Sequence, residues 1–346
     1  MRVISWFFVV VLGAAAALTV NPEWLGRLRP DWAGLTMTYP VSQAIAVRPL
    51  LVGIFAVVAL VLLGVGLLGA VRLGRGGPAL ALGTIFLLVA GGHAWIPWDR
   101  GLDNPGRLSA DDGVRAAGSG TGAITVLAYN TLGGRTGAED IAALADENGV
   151  DVMMLAETSR ATADRVAELR AADGETFQVF DAEAGRPGIG STALLVATTL
   201  GEYVQTSAPR TTEGSVRAEP ASGVGPVLVA VHPRAPVESL TRDWRRDLGE
   251  VTALCRGRGT DGLILAGDFN ATLDHAAMAD LGRCADAAVA AGAGGVSTWP
   301  VRAPEWLGTT IDHVLVDPRR YRATQAAVVE RGDSDHRALL VRLMPR

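Results

Sequence analysis

Three apolar runs near the start of the chain, Val3 to Val20, Pro49 to Val71 and Pro78 to Trp95, constrain its fold more than any other feature. Each is close to the ~20 residues that cross a bilayer as a helix. They predict a membrane region over residues 1–97 with three transmembrane helices, at about 3–20, 49–71 and 78–95. A mean hydropathy of +0.26 over 346 residues agrees with a chain that is partly embedded. For the first run the alternative is a cleaved signal peptide, with Arg2 as its charged start and Ala14 to Ala17 near a cleavage site.

The chain has no Lys, so Arg decides orientation. Arg72 and Arg75 in the tight loop from Val71 to Gly77, with Arg2 at the N-terminus, read as cytoplasmic and place everything after Trp95 on the extracytoplasmic side of a multi-pass cell-membrane protein. Arg27, Arg29 and Arg48 in the first loop, set against Glu23 and Asp31, weaken that bias. Trp24, Trp32, Trp95 and Trp98 stand where interfacial anchors are expected, and His93 reads as another interfacial residue. Residues 98–122 turn polar and lose periodicity, with Asp103, Arg107, Asp111, Asp112 and Arg115 among small residues. They read as a flexible linker, and a coil of that length keeps the rest of the chain near the membrane.

Residues 123–346 alternate strand-like and helix-like stretches. Ile124, Val126 and Ala128 alternate up to Asn130, after which Thr136-x-x-Glu139 looks like a capping box opening a helix that Gly149 ends. Val150 to Ala156 is a buried strand ending at Glu157, and a helix comes next, from Ser159 to about Ala172. Further strands are expected over Phe177 to Phe180, Ser191 to Ala197, Gly201 to Thr206 and Val227 to Val231, the last ending at His232. Gly188 to Ala193 supplies a bend before its strand and not a phosphate loop, since no Lys comes after it. A helix from about Val237 to Gly257 puts Leu240, Trp244, Leu248, Val251 and Leu254 on one face. Strands over Thr310 to Val316, Thr324 to Val329 and Ala338 to Leu343 complete an α/β or α+β domain with layered sheets.

Between that helix and those strands, Leu263 to Ala266 is an apolar run that stops at Gly267 and then offers Asp268 and Asn270. In an extended chain residues i and i+2 face the same way, so both side chains can meet one ligand, and Gly267 lets the backbone turn or approach closely. An Asx-type turn would produce the same tetrapeptide. Asn130, Glu157, His232, Asp268, Asn270, Asp312, His313, Asp335 and His336 all lie at or beside strand ends. Such a set suits a hard cation held by one or two carboxylates, with a base for water and donors for the charge that develops on a phosphoester. Glu157 is the first candidate ligand, and His336 with a carboxylate behind it would be an oriented imidazole.

Asn130 after the first strand, Leu155-Ala156-Glu157-Thr158, His232-Pro233, Gly267-Asp268-Phe269-Asn270, Ile311-Asp312-His313-Val314 and Ser334-Asp335-His336-Arg337 resemble, in order, the motifs of the endonuclease/exonuclease/phosphatase family over about Thr125 to Leu343. The resemblance implies a four-layered α/β sandwich, two packed mixed sheets flanked by helices, with the site at one sheet edge. It further implies Mg²⁺-dependent, or Mn²⁺-dependent, hydrolysis of phosphoester bonds. By the same resemblance Glu157 binds the metal, Asn130 lies near metal and phosphate, and Asp335 supports the metal or the nucleophile side. Asp268 orients or activates water, Asn270 contacts phosphate, Asp312 holds His336, and His232 binds phosphate or assists the leaving group. His313 reads as pocket lining and Trp299 as structural; Asp274 looks like the N-cap of a helix beginning near His275.

Cys255 and Cys284 have two readings, a disulfide in an oxidising compartment or two buried thiols. Residues 123–346 carry 22 Arg against 30 Asp plus Glu, a net of −8 with His neutral, which lacks the electrostatic footprint of a general duplex binder. A tether beside the bilayer favours a phosphate ester, pyrophosphate or phosphodiester at the membrane surface, lipid-linked ones included. The alternatives are an extracytoplasmic nuclease and a catalytically silent adaptor that uses the fold to bind a partner.

Overall fold

The computed structural model describes residues 2–109, 122–184, 188–257 and 261–346. The chain divides into two compact units, Met1–Asp99 with Asp274–Ala276, and Arg100–Leu273 with Ala277–Arg346.

The first unit is built on α1 (Arg2–Val20), α2 (Arg48–Leu73) and α3 (Gly77–Asp99). All three are long and apolar enough to cross a membrane. Their outward faces carry bare Val10, Leu60 and Leu88, and Trp24, Trp32, Trp95 and Trp98 are exposed. Exposed apolar surface of this extent is what a helix long and apolar enough to cross a membrane presents. The short turn after Leu73 folds α3 back along α2, and Gly66 lets the two backbones approach: a Cβ there would lie 2.8 Å from the Leu80 nitrogen. His93 is not an exposed anchor like the tryptophans, and α3 continues past it to Asp99. Its ring is buried, stacked on Phe55 and bonded to the Thr19 hydroxyl at 3.0 Å. Arg48 Nη1 lies 3.1 Å from His93 Nδ1, and the same guanidinium donates to both Asp274 oxygens at 2.7 and 2.9 Å. A buried arginine persists only with such a partner. Asp274, expected as a helix cap, thus directs its carboxylate to Arg48, and the helix after it is only Ala276–Ala279.

The second unit contains, among the described residues, two six-stranded sheets. The first is formed by β1 (Ile124–Asn130), β2 (Val152–Ala156), β3 (Phe177–Glu183), β4 (Ser191–Ala197), β11 (Tyr321–Val329) and β12 (Ala338–Pro345), in the order β11-β12-β1-β2-β4-β3. The second holds β5 (Tyr203–Thr206), β6 (Ser215–Pro220), β7 (Val227–Val231), β8 (Leu263–Asp268), β9 (Ala285–Asp286) and β10 (Asp312–Val316), in the order β5-β6-β7-β8-β10-β9. Alternation along the strands decides the layers. Val126, Ala128, Val152 and Met154 meet Leu228, Ala230, Ile264 and Val314 in the core between the sheets. Leu127, Tyr129, Met153 and Leu155 point the other way, onto Ile141 and Leu144 of α4 (Ala138–Asn148) and Ala163 and Val166 of α5 (Arg160–Ala172). Trp244, Leu248 and Val251 of α6 (Thr241–Arg256) are fully buried, as are Val229, Val231 and Leu265 on the outward face of the second sheet. The four-layered sandwich implied by the sequence is therefore the observed fold.

Local departures have local causes. The capping box does not form: Gly137 is the N-cap of α4, and Thr136 turns inward to the Tyr129 hydroxyl at 2.9 Å. Ser159 does cap α5 through the Thr162 amide. Strand β6, rich in small and charged residues, is unexpected from sequence. Of the expected linker, Trp98 and Asp99 close α3, and residues 100–109 pack in the second unit, where Leu108 is buried and donates to Asn148 Oδ1. Residues 110–121, with Asp111, Asp112 and Arg115, lie outside the described residues. Cys255 and Cys284 are bonded, their Cα atoms 5.3 Å apart.

Candidate active site

Strand direction explains why residues far apart in sequence gather at one edge. Strands β1 and β2 run parallel, as do β7 and β8, so Asn130, Glu157, His232 and Asp268 all stand at the C-terminal ends of central strands. Strands β12 and β10 run antiparallel to their neighbours β1 and β8. Their beginnings, preceded by His336 and marked by Asp312, therefore reach the same edge. Asp312 sits directly opposite Asp268 in the ladder. The two strands β7 and β8 come together at Gly267, where a Cβ would stand 2.1 Å from the Val231 carbonyl oxygen; its φ of 143° is open to glycine.

Asn130 is the hub of the floor. Its amide nitrogen donates to Glu157 Oε1 at 3.2 Å and to Asp268 Oδ2 at 3.0 Å, while its oxygen accepts from the Leu132 amide. His336 Nδ1 donates to Asp312 Oδ2 at 2.9 Å, and its Nε2 faces Asp268 Oδ2 at 3.6 Å. His232 Nε2 stands 3.8 Å from Asp268 Oδ2 and 3.9 Å from Glu157 Oε1, beyond hydrogen-bond reach of both. Asn270 donates its backbone N–H to Asp268 Oδ1 at 2.8 Å and one amide hydrogen to the Pro233 carbonyl at 3.0 Å. Asp335 accepts from the Trp299 indole at 3.0 Å. Asp268, Asp312, His232 and His336 are buried, whereas Glu157, Asn270 and Asp335 reach solvent. Glu157 and Asn270 both hold positive φ, 53° and 49°, a cost that ordinary residues bear only where surrounding bonds fix them.

The electrostatics arise from burial and crowding. Desolvation raises the Glu157 carboxyl above its ordinary pKa, with the Asp268 charge adding to the effect and the Asn130 bond opposing it. Desolvation likewise raises Asp268, against the pull of His336, and Asp312 raises it further. Burial lowers His232. Burial also works against a charged His336, but the carboxylates of Asp312 and Asp268 outweigh it and push the imidazole up to about 10. Among the described residues no Arg is ion-paired with Glu157, Asp268, Asp312 or Asp335. Oxygen Oδ1 of Asp312 and Oδ1 of Asp335 are buried without a hydrogen-bond partner. Four carboxylates with one imidazolium and orphaned oxygens leave a negative charge that a divalent cation would neutralise, so the donor set fits one.

The structure thus gathers Asn130, Glu157, His232, Asp268, Asp312 and His336, with Asn270 and Asp335 at the rim. His313 is corrected. Because successive side chains alternate across a strand, Asp312 faces this edge and His313 faces away, bonded to Asp286 Oδ2 at 2.7 Å and the Ala271 carbonyl at 2.9 Å. Trp299, read as structural, is part of the rim. Three supports escaped the sequence reading. Ser334 Oγ accepts from the His336 amide and donates to the Asn130 carbonyl, Thr298 Oγ1 accepts from the Asp312 amide, and the Trp244 indole donates to the Asn270 carbonyl. The one signal that could have found any of them is the Ser-x-His spacing, which suits a short side-chain-to-backbone turn.

Comparison with known proteins agrees with this architecture. The family model described as "Endonuclease/Exonuclease/phosphatase family" matches residues 127–336, more than half of the chain. No curated protein sequence matches the chain. Among solved structures, the AP endonuclease LMAP from Leishmania major is 14% identical with a TM-score of 0.53, covering 73% of this chain and 95% of its own. The endonuclease/exonuclease/phosphatase from Bacteroides vulgatus is 11% identical with a TM-score of 0.48, covering 65% and 99%. The human Nocturnin catalytic domain is 15% identical with a TM-score of 0.47, covering 65% and 94%. With two mixed sheets, flanking helices and the motif residues at one edge, the chain belongs to the endonuclease/exonuclease/phosphatase family, whose members act on phosphoester bonds, usually with a divalent metal.

Proposed function

We propose that this protein is a membrane-anchored phosphoesterase that works with Mg²⁺, or Mn²⁺ in its place, on a phosphate ester, pyrophosphate or phosphodiester outside the cytoplasmic membrane, with lipid-linked phosphates as the preferred class. The observation that carries the reading is the convergence of Glu157, Asp268 and Asp312 with His336 at one sheet edge, with no arginine counter-charge among the described residues. Glu157, Asn130 and Asp335 would hold the metal, whose charge polarises the phosphoryl oxygens when it is bound. Asp268, buried and of raised pKa, is suited to take a proton from the attacking water. His336, kept protonated by Asp312, stabilises charge developing on the phosphoryl group. Asn270 adds a donor to phosphate, and neutral His232 binds phosphate or assists the leaving oxygen.

Three apolar helices support the membrane anchor, and the Cys255–Cys284 bond supports an oxidising, extracytoplasmic compartment. Protease added to intact spheroplasts should then degrade the region after Gly101; its survival until lysis would place the domain in the cytoplasm. For substrate class, the full chain in lipid nanodiscs should be assayed with Mg²⁺ and with EDTA against a lipid pyrophosphate, a lipid phosphodiester, and single- and double-stranded DNA. Metal-dependent turnover of a lipid substrate is the expected result. Cleavage of DNA alone would replace this reading with the nuclease, and no turnover of any phosphoester would leave the adaptor.

A further inference from the structure

Asn270 has a left-handed φ of 49°, uncommon outside glycine even though asparagine tolerates it better than most residues. Several bonds fix it. Its N–H goes to Asp268 Oδ1, its carbonyl accepts from the Trp244 indole, and the next carbonyl, of Ala271, accepts from His313 Nε2 at 2.9 Å. His313 is buried in β10, with its ring nearly perpendicular to that of Phe269, the residue before Asn270. Its other nitrogen meets Asp286 Oδ2 at 2.7 Å. A backbone carbonyl and a carboxylate are both acceptors, so both ring nitrogens must donate, and the ring sits there as an imidazolium. Asp286 is itself fixed, since its other oxygen caps the helix Ala287–Ala290 through the Val289 amide. Adjacent residues of one strand thus belong to two His–carboxylate pairs on opposite faces: Asp312 serves His336 at the candidate site, and His313 with Asp286 grips the loop behind it.

We infer that His313 is a positioning residue: braced by Asp286, it clamps the Ala271 carbonyl and so holds Asn270 in the left-handed conformation that presents its carboxamide to the substrate phosphate. The inference rests on the phosphoesterase reading for what Asn270 does, but not for the clamp itself. A charge-assisted bond is among the stronger restraints available to a loop carbonyl, and burial keeps water from replacing it.

The test uses the full chain in nanodiscs with Mg²⁺ and whichever phosphoester it turns over. His313→Leu should lower kcat about tenfold or more while the Mg²⁺ half-saturation stays within about twofold, and Asn270→Ala should lose a similar factor. Because the clamp acts through Asn270, the double variant should lose no more than either single one. His313→Gln, which keeps one N–H for the Ala271 carbonyl, should recover part of the loss and also covers the case in which the leucine variant fails to fold. Full multiplication of the two losses would overturn the inference, as would full activity of His313→Leu. Amide hydrogen exchange over residues 269–272 is read without turnover: it should quicken in both His313 variants. Unchanged exchange would overturn the clamp even if no substrate is found, whereas quickened exchange in the variants of a chain whose wild type turns over no phosphoester would count against the phosphoesterase reading alone.

Discussion

Single residues set both the strain and the charge of the candidate site. Gly267 is where the apolar strand was expected to turn or approach a ligand; the structure shows that what it approaches is the neighbouring strand, at the Val231 carbonyl. Gly267→Ala should cost at least ~2 kcal/mol from strain and clash combined, read as a lowered thermal midpoint of the full chain in detergent; a midpoint unchanged from wild type would mean that β7 and β8 are not so closely apposed. His336 gives a pH signature. Its folded pKa of about 10 exceeds the ordinary 6.5, so its contribution to stability is complete below about pH 6.5 and is lost as pH rises through 10. The metal-free protein should therefore lose stability over that interval, and His336→Gln should flatten the decline. Equal slopes in both proteins would show that the Asp312–His336 pair does not carry that charge. The oxygen-rich motif residues were legible because acids, amides and histidines closing apolar strands are chemically conspicuous. Ser334, Thr298 and Trp244 were not, because a hydroxyl or indole that bonds a backbone carbonyl or amide looks the same in sequence as one that bonds water.

Elements were legible where the period was long and the punctuation unambiguous. The three apolar helices, β4 and β7 and the Ser159 cap stand where the pattern puts them. The capping box at Thr136 failed because a hydroxyl can serve the helix or the core, and here the buried Tyr129 hydroxyl claimed it. Strand β6 lacked the β-branched run that marks a strand, and its pairing with β5 and β7 is a tertiary fact. The bond between Cys255 at the end of α6 and Cys284 closes a loop with a sequence separation of 29. A cross-link of that span is worth about 3–4 kcal/mol by loop-closure entropy. The double variant Cys255→Ala/Cys284→Ala should melt several degrees below wild type under oxidising conditions and match reduced wild type. If reduction leaves the wild-type midpoint where it was, the bond does not form in the protein.

The whole molecule answers the question that no single motif can, because the candidate residues are spread from Asn130 to His336 and only the strand order brings them together. Two parallel pairs at the centres of two sheets, with β10 and β12 returning antiparallel, leave one edge at which Asn130, Glu157, His232, Asp268, Asp312 and His336 meet. The order of the motifs was readable, and through the family resemblance so was the layered fold; the register Asp312 opposite Asp268 was not, since it depends on pairing across more than forty residues of intervening chain. The claim that matters most is that this convergence is a metal-dependent hydrolytic site with separable parts. Its most direct test is an Mg²⁺ titration of phosphoester turnover by wild type, Glu157→Gln and His336→Ala, each as the full chain in nanodiscs. Glu157→Gln should raise the Mg²⁺ needed for half-maximal rate by about tenfold or more, and His336→Ala should lower the maximal rate about 10²-fold with the Mg²⁺ requirement nearly unchanged. Full activity in both variants, or the same shift in both, would contradict the account.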